Sequence, residues 1–134
     1  MSQENVGIVR RAWQAYADVG LDGLMEFFGE NISWRAIEGA PDDVGEMRGV
    51  EAMRRYLRDW LETFDDITSV PTEVLDLGDD GVLAVLRVKG RARLSGIETE
   101  LSYAVVYTVC DGKIVQGREY VDRAAALKAV GLEE

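Results

Sequence analysis

The 134-residue sequence contains no histidine and a single cysteine, Cys110. The lack of histidine excludes Ser-His-Asp and Cys-His catalytic sites, and it removes the commonest metal ligand. One cysteine cannot form an internal disulfide, and we expect Cys110, beside a predicted turn, to have a structural role. Any catalysis must therefore use carboxylates, tyrosine, lysine, arginine or water.

The sequence is also poor in positive charge and lacks a long apolar run. Fifteen lysines and arginines stand against 25 aspartates and glutamates, which gives a net charge of −10. This balance disfavours binding to nucleic acid or to an anionic membrane surface. Without a signal peptide, a membrane segment or a lipidation motif, we expect a cytoplasmic protein. Glycine-rich phosphate loops and metal-ligand clusters are absent too, so we predict neither a cofactor nor a metal site.

The apolar content is sufficient for one folded domain. Apolar residues make up 47% of the chain and include three tryptophans, which is typical of a globular protein. A length of 134 residues supports one hydrophobic core. We therefore predict a single domain over residues 1–134.

The apolar periodicity changes from helical to alternating near residue 65. Helical spacing predicts helices over residues 5–19, 21–28 and 50–64, and a short Ala-rich helix over 123–130. Alternation of β-branched and aromatic residues predicts strands over 32–37, 67–77, 82–94, 98–109 and 114–121. This order predicts an α+β domain, in which three N-terminal helices pack on one face of a curved antiparallel sheet.

A hairpin near the C-terminus places one carboxylate in apolar surroundings. Asp111 and Gly112 have the composition of a type I′ turn, in which both central residues need positive φ. Glu119 lies in the middle of the return strand, between Gly117 and Val121 on the same face. The neighbours expected on that face across the hairpin are Leu101, Tyr103, Val105 and Tyr107.

This environment gives Glu119 two alternative roles. An apolar wall disfavours the ionised carboxylate and raises its pKa, which suits a general base near neutral pH. Alternatively, Glu119 forms a structural ion pair with Arg87 or Arg118. The first role makes Glu119 a candidate catalytic acid or base, whereas the second makes it part of the scaffold.

Pro71 indicates an edge strand or a bulge in the predicted strand over residues 67–77.

Two other segments are potential functional surfaces. Residues 38–49 form a predicted loop of the length at which lids are common, with Met47 and Arg48 placed to gate a cavity. A basic stripe at alternate positions of one strand predicts a solvated outer face or dimer surface, with an anion clamp as the alternative. The stripe consists of Arg87, Lys89, Arg91 and Arg93.

Several short motifs occur in a fixed order along nearly the whole chain. They are LDGL at residues 21–24, ISW at 32–34, GVEA at 49–52, DGKI at 111–114 and REYVD at 118–122. Together they resemble the SnoaL-like (polyketide-cyclase-like) family of the NTF2-like superfamily. The resemblance implies a conical α+β barrel that encloses one apolar pocket, and often a homodimer through the outer face of the sheet. Because this fold hosts both enzymes and binding proteins, the resemblance does not settle function.

The resemblance also implies roles for individual residues. In SnoaL-type aldol cyclases the acid or base is a carboxylate on the last strand, and the matching position here is Glu119. Two supporting polar positions match Tyr103, which can donate a hydrogen bond, and Val105, which cannot.

Two other activities of the superfamily match this sequence less well. In members that resemble limonene epoxide hydrolase, polar groups that hold water match Trp34 and Ala36, and an Arg and a second carboxylate match Arg87 and Lys89. Ala36 cannot hold water, and Lys89 has the wrong charge. In members that resemble ketosteroid isomerase, the base matches Ala36 and the oxyanion donors match Trp13 and Val105, none of which has the required chemistry.

These considerations predict a small cofactor-free lyase or isomerase that acts on an apolar carbonyl compound, with polycyclic compounds among the candidates. Glu119 would abstract a proton α to the carbonyl, and Tyr103 or Tyr107 would hydrogen-bond the enolate. The alternative is a domain that binds a hydrophobic ligand or supports dimerisation without chemistry, and epoxide hydrolysis ranks third. The predicted ligand-binding residues are Trp13, Tyr16, Phe28, Trp34, Tyr56, Trp60, Leu101 and Val105.

Overall fold

The computed structural model describes residues 2–37 and 45–132, and within these ranges the chain forms four helices and six strands. The helices are α1 (Ser2–Val19), α2 (Leu21–Met25), α3 (Val50–Leu61) and α4 (Arg123–Ala129). The strands are β1 (Phe28–Arg35), β2 (Glu46–Arg48), β3 (Phe64–Gly78), β4 (Gly81–Ala92), β5 (Glu98–Cys110) and β6 (Lys113–Tyr120). The predicted α+β class is confirmed.

The six strands form one curved sheet that is not closed into a barrel, in the order β2-β1-β6-β5-β4-β3. Neighbouring strands are antiparallel except β1 and β6, which are parallel, so the predicted all-antiparallel sheet is wrong at this one pair. Pro71 lies in the edge strand β3, where the register with β4 shifts after it, as its missing N–H predicts. Asp111 (φ 53°) and Gly112 (φ 78°) form the predicted turn between β5 and β6.

Two segments differ from the sequence-based prediction around β1. The predicted helix over residues 21–28 ends at Met25, and β1 begins at Phe28, because Phe28 pairs with Ile114 of β6. The predicted loop over residues 38–49 contains strand β2, in which Met47 pairs with Trp34 of β1. Residues 38–44, on which the predicted lid depends, lie outside the described residues, and Met47 and Arg48, the predicted gate, lie in strand β2.

The main core lies between the inner face of the sheet and helices α1, α2 and α3. Apolar residues at helical spacing place Val9, Trp13 and Met53 against this face, and all three are buried. Gly23 lets α2 approach α1 closely, since a Cβ there would lie 2.5 Å from the carbonyl oxygen of Ala15. Helices α1, α2 and α3 therefore cover the inner face of the sheet.

The outer face carries helix α4 and the basic stripe. Asp122 caps α4 by accepting a hydrogen bond from the Ala125 N–H at 2.8 Å, and Leu127 packs against the sheet. In the stripe, Arg87 pairs with Glu100, Arg91 with Asp66 and Arg93 with Asp65, all at the surface. These pairs agree with the predicted solvated outer face.

Candidate functional site

A cavity of about 300 Å³ lies between the inner face of the sheet and helices α1–α3. Apolar side chains form most of its wall, and Glu119 contributes the one carboxylate among the described lining residues. Among the lining residues, Val121 is 61% exposed, whereas Ser69 and Leu24 are buried. The size and composition of this cavity are those of a small-molecule site.

Glu119 enters the cavity wall because side chains alternate along β6. Its strand partner is Val105, which places the carboxylate on the inner face as predicted. The indole Nε1 of Trp34 donates a hydrogen bond to Oε2 at 2.8 Å, and the hydroxyl of Tyr56 lies 3.0 Å from both carboxylate oxygens. Strands β1 and β6 and helix α3 thus hold the carboxylate with two neutral donors.

The alternative ion pair with Arg87 is not formed. Arg87 follows Leu86 on β4 and points to the outer face, where it pairs with Glu100. Arg118 is exposed, and alternation along β6 directs it away from Glu119. Neither arginine is therefore placed to reach the cavity.

The position of Trp34 depends on Gly117, its neighbour across the parallel pair of β1 and β6. A Cβ built on Gly117 would lie 2.1 Å from Cζ3 of Trp34 and 2.2 Å from Cε3. The indole therefore lies directly on the backbone of β6, two residues before Glu119. Glycine at this position is what allows Nε1 to reach the carboxylate.

Tyr103 is a second polar group of the cavity wall. Its hydroxyl has no hydrogen-bond partner among the described residues, and its ring contacts that of Trp60 at 6.4 Å. Burial raises the pKa of Tyr103 well above its ordinary value, with further contributions from Tyr107 and Glu119. The phenol therefore remains protonated at neutral pH and can donate a hydrogen bond.

Tyr107, the other predicted donor, lies behind the wall instead of on it. Its side chain is 1% exposed, and its hydroxyl accepts a hydrogen bond from Nε1 of Trp13 at 3.0 Å. Burial raises the pKa of Tyr107 too, partly offset by this bond. The pair with Trp13 makes Tyr107 a core residue that supports the cavity.

The other predicted site residues are also divided between the cavity wall and the buried core. The structure places Trp13, Tyr16, Tyr56, Trp60 and Leu101 on the cavity wall, together with Tyr103 and Glu119. Phe28, Trp34 and Val105 lie in the buried core, because Phe28 packs on Trp34 (5.9 Å between rings) and Trp34 packs on Tyr107. Trp34 thus contacts Glu119 and not the cavity.

Sequence reasoning missed several residues that line the cavity. Most are apolar residues of the helices, among them Leu21, Leu24, Leu57 and Leu61, whose periodicity marks a buried face but not a cavity. Ser69 is different, because it is a polar residue on β3 and is only 5% exposed. The alternation along β3 would have placed Ser69 inward, between outward Thr68 and Val70.

The described residues form neither a metal-ligand cluster nor a membrane-spanning helix. Residues 2–37 and 45–132 contain no group of three histidine, cysteine, aspartate or glutamate side chains placed to hold a metal ion. Within the same ranges, none of the helices has the length and apolar character needed to cross a membrane.

Comparison with known proteins gives a family match and a shared fold. The profile of a family described as the SnoaL-like domain matches residues 9–117. Among curated proteins, none matches this chain.

Solved structures share the fold over almost the entire chain. An NTF2-like protein from Burkholderia thailandensis is 27% identical with a TM-score of 0.76, and the alignment covers 93% of this chain and 95% of that one. A putative SnoaL-like polyketide cyclase from Jannaschia sp. is 20% identical (TM-score 0.75, coverage 99% and 95%). TerC, co-crystallised with polyporic acid, is 18% identical (TM-score 0.75, coverage 96% and 98%).

Proposed function

The chain belongs to the SnoaL-like domain family and has an NTF2-like fold, and we propose that it is a cofactor-free lyase or isomerase of small apolar carbonyl compounds. The observation that carries this proposal is the position of Glu119 in the wall of an apolar cavity. Its carboxylate is oriented by Trp34 and Tyr56, and the Tyr103 hydroxyl faces the same space.

The proposed reaction starts with proton transfer to Glu119. The carboxylate takes a proton from the carbon next to the carbonyl, and the electrons of that C–H bond move to the carbonyl oxygen as an enolate. Glu119, now a carboxylic acid, returns the proton to another carbon in an isomerisation. In a cyclisation, the enolate carbon attacks a second carbonyl of the same molecule, and Glu119 protonates the alkoxide that forms.

The hydrogen bonds to Glu119 are compatible with this role. Because Trp34 and Tyr56 are neutral, they fix the carboxylate without neutralising its charge.

Tyr103 is the proposed donor to the enolate oxygen. Its raised pKa keeps the hydroxyl protonated at neutral pH, which a donor requires. Tyr107 does not share this role in the proposal, because its hydroxyl lies in the core against Trp13. Of the two tyrosines predicted as enolate donors, Tyr103 therefore lies on the wall and Tyr107 does not.

The polycyclic carbonyl class rests on the shape of the site and on its relatives. Aromatic rings from α1 and α3 (Trp13, Tyr16, Tyr56 and Trp60) border the cavity and suit a flat ligand. Similarity to the putative polyketide cyclase from Jannaschia sp. and to TerC, which was crystallised with polyporic acid, supports a small-molecule ligand.

A second candidate function is ligand binding without chemistry. The apolar side chains of Ala36 and Val105 favour it, since they stand where related enzymes have polar groups. Epoxide hydrolysis loses its remaining support, because Arg87 pairs with Glu100 on the outer face. A homodimer through that face, a single domain over residues 1–134 and a cytoplasmic location stay predictions.

The two functions can be separated with 2-acetylnaphthalene, a flat bicyclic ketone with exchangeable α-protons. Binding is measured by tryptophan fluorescence, and exchange of the α-protons for deuterium is measured by NMR in D₂O. Wild-type protein should bind the ketone and accelerate the exchange. In Glu119→Gln the exchange rate should drop by roughly 100- to 1000-fold, while Kd changes by less than about threefold.

Glu100→Gln is the matched control, since it removes a carboxylate from the outer face and should leave the exchange rate unchanged. Exchange retained in Glu119→Gln would exclude Glu119 as the base. Binding of the ketone without any exchange in the wild type would support the ligand-binding alternative.

A further inference from the structure

Ser69 is a buried polar residue that the proposed reaction does not use. Within residues 2–37 and 45–132, its Oγ is the only side-chain oxygen or nitrogen that is fully buried and has no hydrogen-bond partner. The residue is 5% exposed and lines the same cavity as Glu119. Since buried hydroxyls are normally hydrogen-bonded, this one requires an explanation.

Ser69 lies at the opposite side of the cavity from Glu119. On β3 it pairs with Val88 of β4, which in turn pairs with Leu101 of β5. Glu119 is on β6 opposite Val105, so the two residues lie three strand spacings apart across the sheet, about 14 Å, and four residues of β5 apart along the strands, about 13 Å. A ligand that reaches both side chains must carry two separate polar groups.

The surroundings of Ser69 make a ligand a suitable partner for its hydroxyl. Neighbouring Thr68 and Val70 point outward, so Ser69 is the residue of this segment that faces the cavity. An unpaired hydroxyl in an apolar wall destabilises the empty protein, and a ligand oxygen that meets it removes this penalty on binding. Discrimination between ligands follows, because an analogue without that oxygen leaves Ser69 unpaired.

We propose that Ser69 determines specificity by hydrogen-bonding a second polar group of the ligand, at the end remote from the carbonyl that Glu119 and Tyr103 address. This inference rests on the proposed function and narrows its substrate class. The substrate is then a flat apolar ketone that carries a hydroxyl or another oxygen substituent at its far end.

Three ketones of one shape test the inference: 2-acetylnaphthalene, its 6-hydroxy derivative and its 6-methoxy derivative. Their Kd values are measured by tryptophan fluorescence for the wild type, Ser69→Ala and Thr68→Ala. The wild type should prefer the hydroxy ketone over the unsubstituted ketone by roughly tenfold, which is typical of one hydrogen bond to a buried neutral group. The methoxy ketone, which can only accept, should show a smaller preference.

In Ser69→Ala the preference for the hydroxy ketone should disappear, while the Kd of 2-acetylnaphthalene changes by less than about twofold. Thr68→Ala removes a hydroxyl one residue away on the outer face and should behave like the wild type. A second readout is the Tm of the unliganded protein, which Ser69→Ala should leave within about 2 °C or raise, because it removes an unpaired polar atom.

The possible failures are distinguishable. If the wild type binds 2-acetylnaphthalene without preferring the hydroxy ketone, the inference on Ser69 is wrong and the proposed function stands. If the preference persists in Ser69→Ala, Ser69 does not bind the second polar group and the inference is wrong. If Ser69→Ala lowers the Tm by more than about 2 °C, Ser69 has a structural role instead. If the wild type binds none of the three ketones, both proposals are wrong.

Discussion

The two faces of the sheet use carboxylates in opposite ways. On the outer face, Glu100 pairs with Arg87 and Asp65 with Arg93, and these side chains are about half exposed. On the inner face, Glu119 receives its hydrogen bonds from the uncharged groups of Trp34 and Tyr56 in a partly buried position. The same kind of side chain thus has charged partners in water and neutral partners beside the cavity.

This difference separates a carboxylate that is available for chemistry from one that serves solubility. A surface ion pair contributes about 0–1 kcal/mol to stability, and each partner remains hydrated without the other. The donors of Trp34 and Tyr56 instead depend on Glu119, since a buried donor that loses its acceptor pays its full desolvation cost. Strands β1 and β6 and helix α3 therefore determine the position of Glu119. Each outer ion pair, in contrast, can be lost with little effect on stability.

The largest effect on stability is expected at Gly117, where the ring of Trp34 leaves no space for a side chain. Gly117→Ala places a Cβ about where the Trp34 ring lies, 2.1 Å from Cζ3, so the indole must move or the strands must separate. We expect a loss of about 3 kcal/mol in the free energy of unfolding, measured by urea denaturation. Arg118→Ala, one residue away on the outer face, should change it by less than about 0.5 kcal/mol. Equal effects of the two variants would show that the faces are packed alike.

The sequence predicted the faces of the sheet because alternation is a local property. The same-face set of Glu119, Tyr103 and Tyr107 depends on the turn and on a register shift between Thr108 and Val109: Asp111–Gly112 pairs Cys110 with Lys113, and the shift then brings Glu119 opposite Val105. The outward direction of Arg87 follows from alternation along β4 alone. Alternation needs no information on tertiary packing, whereas the shift is not visible in the sequence pattern.

The partners of Glu119 could not be predicted in this way. Trp34 reaches it from β1, 85 residues earlier, and Tyr56 reaches it from α3, 63 residues earlier. Periodicity marks both as buried but does not distinguish a cavity wall from a core, and the ring of Trp34 is directed to the core by Gly117. Ser69 was missed because the pattern of β3 was used only to assign a strand.

Alkaline pH tests the inner face through its phenols. Burial raises the pKa values of Tyr16, Tyr103 and Tyr107 above the ordinary value of 10.0. Above about pH 10 the unfolded chain therefore releases protons that the folded protein retains, so the free energy of unfolding should fall as pH rises. Each such phenol contributes a slope of up to about 1.4 kcal/mol per pH unit.

Tyr103→Phe should reduce the dependence of the free energy of unfolding on pH by the contribution of one phenol. Urea unfolding between pH 8 and 11 measures this dependence. The absorbance of ionised tyrosine at 295 nm should rise together with unfolding for the buried phenols. An unchanged slope in Tyr103→Phe would mean that this hydroxyl titrates in water, at odds with its place in the cavity wall.

A double-mutant cycle measures how strongly Glu119 and Tyr56 depend on each other. Tyr56→Phe removes only the hydroxyl that lies 3.0 Å from both carboxylate oxygens of Glu119. Glu119→Gln keeps the shape of the Glu119 side chain and removes its charge. We expect a coupling free energy of about 1 kcal/mol in the stability of the folded protein, because a charge-assisted hydrogen bond weakens to a neutral one. A coupling indistinguishable from zero would mean that Tyr56 does not hold the carboxylate in solution.

The smallest effect is expected for the corresponding cycle on the outer face, with Arg87→Met and Glu100→Gln. Both side chains are 47% exposed, so their pair is hydrated and screened by salt. We expect a coupling below about 0.5 kcal/mol that falls further in 1 M NaCl, whereas the coupling between Tyr56 and Glu119 should change little, since its donor is uncharged. Coupling at Arg87 and Glu100 that equals the inner value and resists salt would contradict the distinction between the faces. The outer pairs would then be structural elements, which fits a surface covered by a second subunit better than one in contact with water.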